Sequence, residues 1–117
     1  MAVFPMVKGG VGGESKSQLF PIASYPNSPQ STGYYSDFTL DFEPDCAVLI
    51  CPISSTNIVW AVYEKNGKSM SAQLNGSTPY IFTDASKAPK INGKVVSFYL
   101  LTSGMVGKQA WIYAMKE

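Results

Sequence analysis

Residues 37–43, Asp37-Phe38-Thr39-Leu40-Asp41-Phe42-Glu43, alternate polar with large apolar side chains, and residues 46–51, Cys46-Ala47-Val48-Leu49-Ile50-Cys51, are apolar without a break. Successive residues of a strand point to opposite faces of a sheet, so the first run places Phe38, Leu40 and Phe42 on one face and the acids on the other. Pro44 ends it. The apolar run, continued through residue 53, predicts a central strand covered on both faces.

Outward from these two runs the same period persists. Residues 58–63 are rich in β-branched and aromatic side chains and lead into Asn66-Gly67. Asn-Gly between strands is the strongest short hairpin signal, because both central residues of a type I′ turn require positive φ. Residues 69–74 are the predicted return strand. Asn75-Gly76 gives a second turn, residues 80–83 another strand, and Asn92-Gly93 closes a further loop. Residues 95–102 and 109–115 are predicted to form a final hairpin. On the N-terminal side, residues 16–22 can pair as a short strand, and Tyr25-Pro26-Asn27-Ser28-Pro29 reads as a turn-rich loop. No window combines helical periodicity with a capping residue. The predicted fold is all-β, an antiparallel, jelly-roll-like β-sandwich of about seven or eight short strands, with residues 16–117 as a single domain. Residues 1–15 read as a flexible glycine-rich arm, in which Val3, Phe4, Met6 and Val7 precede Gly9, Gly10, Gly12 and Gly13.

Composition narrows the chemistry. The 117 residues include no histidine and no arginine, which removes the side chain best suited to proton transfer near neutral pH and the bidentate reader of phosphate and guanine. Nine lysines against eight acids leave a net charge of +1, so no overall field gathers a polyanion, and nucleic acid is not an expected partner. Lys87, Lys90 and Lys94 with Tyr80, Phe82 and Tyr99 hold the ingredients of a single-strand groove, but lysines that protect a sheet edge account for them equally. No basic segment precedes an apolar stretch at the start, and nothing nears the ~20 apolar residues of a membrane span. The expected location is the cytoplasm or a virion, with no signal peptide and no membrane partner.

Each candidate site has a structural counterpart. Asp37, Asp41, Glu43 and Asp45 could offer oxygens to a hard cation, yet their spacing matches no calcium loop, and a solvated strand face explains them. Cys46 and Cys51 are the two cysteines. Five residues apart on one strand they face opposite sides, so two buried, reduced thiols are expected rather than a bridge. With no histidine, a thiol or serine nucleophile would need a lysine as its base, and no Gly-x-Ser-x-Gly context occurs. The glycines at 9–13 lack the Gly-Lys-Ser/Thr ending of a phosphate loop. No catalytic residue, metal ligand or cofactor is therefore predicted. Trp60 and Trp111 lie in apolar strand patterns and are assigned to the core. Tyr25, Tyr34 and Tyr35 remain as candidate contact residues, able to stack on a sugar or a partner, together with Phe4, Met6 and Val7 of the arm.

An apolar then glycine-rich arm (Met6-Val7-Lys8-Gly9-Gly10-Val11-Gly12-Gly13-Glu14-Ser15) behind a methionine start, followed by a turn-rich β body without catalytic residues, resembles the small structural proteins of bacteriophage tail and neck modules. The likeness is one of layout along the whole chain and transfers no binding residue. It implies a sandwich that assembles as rings, trimers or fibre appendages, with arms reaching a neighbour. The function expected is thus a non-catalytic structural subunit of a virion, whose partners are other copies of itself and other structural proteins. The alternative is a lectin-like module that binds surface glycan. If the arm contacts a neighbouring subunit, deletion of residues 1–15 lowers the mass measured by light scattering; an unchanged mass rejects that role.

Overall fold

A computed structural model describes residues 15–26, 30–32, 35–67 and 69–117. The predicted arm lies almost entirely outside the described residues. Among them run ten strands: β1 (Lys16–Ile22), β2 (Gln30–Thr32), β3 (Tyr35–Thr39), β4 (Cys46–Ser54), β5 (Asn57–Glu64), β6 (Met70–Asn75), β7 (Thr78–Phe82), β8 (Lys90–Asn92), β9 (Val95–Tyr99) and β10 (Ala110–Lys116). They form two antiparallel sheets, a large one ordered β1-β10-β4-β5-β6-β7 and a small one ordered β2-β3-β9-β8. The fold is an all-β sandwich, and the only helical elements described are single 3-10 turns at Ala85–Lys87 and Ser103–Met105.

The core is the space between the sheets. From the large sheet, Ile22, Leu49, Cys51, Val59, Ala61, Ile112 and Ala114 point inward; from the small sheet and its flanks, Phe38, Leu40, Phe42, Val96 and Phe98 meet them, all buried. The inner face of the large sheet includes four alanines (Ala47, Ala61, Ala110, Ala114), whereas the facing layer supplies phenylalanines. Large against small lets the layers interdigitate at interior density. Phe38 anchors the aromatic part of the core, with ring centroids 5.8 Å from Phe20, 5.9 Å from Tyr25 and 6.5 Å from Phe98.

The alternation read at residues 37–43 is present, but as burial rather than as one long strand. β3 stops at Thr39, Leu40 N donates to the Lys94 carbonyl at 2.8 Å, and the chain bends while Phe42 still enters the core. The two predicted Gly turns at Gly76 and Gly93 are tight: Asn75 pairs with Thr78 and Asn92 with Val95, with the glycines at φ 66° and 61°. The Asn66-Gly67 hairpin also forms, but Gly67 is not left-handed. The last pair of that ladder is Val62 with Met70, so the connection is long enough to reverse without an inverted turn. Gly67 N instead donates to the Glu64 carbonyl at 3.4 Å.

Two expectations are corrected. Residues 95–102 and 109–115 do not make a hairpin: β9 pairs with β3 and β8 in the small sheet, and β10 with β1 and β4 in the large one. The connection crosses between layers, and the buried Met105 fills the crossing. The central strand β4 is covered on one face only. Ala47, Leu49 and Cys51 are buried, whereas Ile50 is 44% exposed and Pro52 is exposed. An unbroken apolar run shows that both faces are apolar; it does not show that both are covered.

This asymmetry is measurable. In dilute solution, Leu49→Ala is expected to destabilise by about 2–5 kcal/mol, since it opens a cavity in the core. Ile50→Ala, its neighbour on the open face, should cost about 1 kcal/mol or less. Denaturant midpoints compare them, and equal losses would mean that the outer face is packed as tightly as the inner one.

Candidate functional site

Strand register decides what the open face presents. Pro21 of β1 lies opposite Trp111 of β10, Trp111 opposite Ile50 of β4, Ile50 opposite Trp60 of β5, Trp60 opposite Ala72 of β6, and Ala72 opposite Ile81 of β7. These six form one row across the full width of the large sheet, on the side away from the small sheet. The parallel row is Leu19, Tyr113, Val48, Val62 and Met70. Neither row contains a charged residue. Trp60 and Trp111, assigned to the core from sequence, stand on this outer face and are only half-buried. Ala72 is 2% exposed without belonging to the core cluster, consistent with larger outer-face neighbours closing over its methyl.

Of the large hydrophobic residues exposed among the described residues, Leu19, Ile50, Ile81, Tyr113 and Met115 lie on this face, and only Tyr80 and Val106 lie elsewhere. Their concentration on one surface distinguishes it from the scatter of single apolar side chains normal on a monomer. The opposite outer face, on the small sheet, is built differently. There Ser97 Oγ donates to Asp37 Oδ1, and Lys90 Nζ sits 4.4 Å from the Tyr35 ring centroid.

One end of the apolar face is polar. Asp45, Cys46, Glu64, Lys65, Asn66, Met115 and Glu117 line a shallow cavity of about 310 Å³. Asp45 is already committed there: its Oδ2 accepts from Glu117 N at 3.0 Å and its Oδ1 lies 3.8 Å from Lys65 Nζ. The acids grouped in sequence are therefore dispersed, with Asp37 on the small sheet, Asp41 and Glu43 exposed, and Asp45 at this rim. Among the described residues, no three Cys, Asp or Glu side chains converge on a point that could hold a metal ion.

The candidate tyrosines fall in other places. Tyr25 is 1% exposed; its hydroxyl donates to the Phe98 carbonyl at 3.3 Å, its N to the Lys108 carbonyl at 2.7 Å, and its carbonyl accepts from Gly107 N at 2.8 Å. It fastens the loop after β1 to the crossing before β10. Burial drives its phenol far above the ordinary range. Tyr35 is buried at 7%, with its hydroxyl shared between the Ser86 and Ala88 carbonyls at 2.8 and 2.7 Å and its ring edge-on to Tyr99. Neither ring lies open for stacking in this structure. Tyr34, Phe4, Met6 and Val7 lie outside the described residues. Lys87 and Lys90 each sit over an aromatic ring, Phe82 and Tyr35, so these two do not project together as a basic strip.

Sequence reading missed Ile50, Trp60, Trp111, Tyr113, Leu19 and Ile81 as a surface. A usable signal was present: a two-layer sandwich has no third layer, so a strand apolar in both phases must leave one phase outside.

The thiols are separated as expected from their spacing and both are free, but only Cys51, facing inward, is buried; Cys46 faces outward and is partly exposed, because it shares the open face of β4 with Ile50. Burial pushes the Cys51 thiol up to about 11, and burial followed by the nearby Glu64 raises that of Cys46. Both are then neutral, poorly nucleophilic thiols near pH 7. Because the folded Cys51 holds its proton more tightly than the unfolded one, its contribution to stability is intact below the ordinary value of 9.0 and is lost as pH rises towards about 11. Native alkylation at pH 8, followed by mass spectrometry, should modify Cys46 slowly and Cys51 only after unfolding; prompt labelling of Cys51 would contradict the placement. Compared with known protein families, with curated proteins and with solved structures, the chain matches none of them.

Proposed function

We propose that this chain is a non-catalytic assembly subunit that forms a homo-oligomer by burying an apolar sheet face, in the manner of a virion component of the phage tail or fibre kind. The observation that carries the reading is the apolar outer face of the large sheet, whose two central rows hold no charged residue. Six strands at about 4.8 Å spacing and four residue rows give it an outline of roughly 25 Å by 25 Å, on the order of 600 Å² before corrugation. That is at the upper end of the ~300–600 Å² of the largest apolar patch on a typical monomer, and patches of that size are often functional. Composition agrees with the reading: neither histidine nor arginine is available for group transfer or anion recognition, and both thiols are held protonated.

A second reading, a glycan-binding module, draws on Trp60, Trp111 and Tyr113 sharing one face. Sugars also demand hydrogen-bond partners around their hydroxyls. Between the two tryptophans the register places only Ile50, so the apolar partner fits better.

Light scattering across a range of concentrations, with a glycan array in parallel, decides between them. The expected result is a mass that is a multiple of 12.7 kDa and no reproducible glycan signal. A chain that stays monomeric and gives a glycan signal abolished by Trp60→Ala would replace assembly with carbohydrate binding.

A further inference from the structure

The geometry points to a second copy of this chain as the occupant of the outer face, packed sheet against sheet about a two-fold axis that passes over Ile50 and runs along β4. This inference rests on the assembly reading and specifies its interface.

Three features support a copy over a foreign partner. The first is symmetry of the row. Ile50 is flanked by Trp111 on β10 and by Trp60 on β5, and both neighbours run antiparallel to β4. A two-fold axis along β4 reverses strand order, so it sets Trp60 of one copy over the partner's Trp111, the reciprocal pair on the other side, and Ile50 over its own equivalent. The same patch then serves both subunits, which a closed two-fold contact requires.

The second is electrostatic. The two central rows hold no charge, and the chain carries only +1 overall, so copies have little repulsion to overcome. A partner selected by charge would need a complementary pattern that these rows do not contain.

The third is size and shape. A patch on the order of 600 Å² in outline, corrugated by two tryptophans and a tyrosine, approaches the ~800 Å² per partner of a standard stable interface. Sheets pack face to face about 10 Å apart, and side chains interdigitate at that spacing. With the axis along β4 the two central strands lie parallel, and Ile50 of each copy sits at the axis. The polar rim at Asp45, Glu64 and Lys65 then falls at the edge of the contact, where it stays hydrated.

The test uses the full chain with Cys46→Ser, so that the outer face has no native thiol, and a short bis-maleimide linker as probe. Ile50→Cys is expected to give a covalent dimer, and Thr39→Cys, exposed on the small-sheet side of the sandwich, is expected to give none. In a separate variant, Trp60→Lys should raise the dimer dissociation constant by about tenfold or more, as loss of a central aromatic contact does. Its thermal unfolding should remain cooperative, since Trp60 is outside the core. An oligomer that links through Thr39→Cys and not Ile50→Cys, or one unaffected by Trp60→Lys, overturns the face while self-assembly stands. A chain that is monomeric at every concentration overturns both this inference and the assembly reading.

Discussion

A two-layer sandwich has four sheet faces and can hide only two of them, and this chain spends apolar side chains on three. The small sheet covers Leu49, Val59, Ala61 and Ile112; it has no means of covering Ile50, Trp60 and Trp111, which share those strands with opposite orientation. Because strand alternation is rigid, the outer rows cannot be turned inward without turning the inner rows out. The exposed face therefore follows from the backbone and is not a local irregularity.

The arrangement has a division of labour. Phenylalanines from β3, β9 and the segment after β3 supply the bulk of the core, and the small residues of the large sheet admit them. Tyr25 and Tyr35 finish the packing with hydroxyls satisfied by backbone carbonyls, which lets phenols be buried without an orphaned donor. Tyr25 in particular joins the loop after β1 to the crossing that delivers β10. β10 then pairs with both β1 and β4 and carries Trp111 and Tyr113 to the open face. The aromatic core and the aromatic surface are thus linked through one connection.

Among the described residues, the groups able to carry chemistry are not gathered at the open face. The thiols are pushed towards their neutral form, the carboxylates are dispersed over two sheets and a rim, and two of the lysines lie against rings. What is concentrated on the open face is hydrophobic area. Flanking polar groups at Asp45, Glu64 and Lys65 mark where that area ends.

Local pattern was enough for the all-β class, for the Gly76 and Gly93 turns, and for the inward set Phe38, Leu40 and Phe42, because alternation and left-handed glycine are properties of a few adjacent residues. It was enough as well to separate the two thiols. Pairing was beyond its reach: nothing near residues 95–115 says that β9 and β10 enter different sheets, since ladder partners are chosen by residues distant in the chain. The open apolar face lay beyond it for the same reason. Apolar runs around Ile50, Trp60 and Trp111 state that both sides of a strand dislike water, and only the count of strands in the opposing layer, fixed when the tertiary structure closes, determines which side is left to face it.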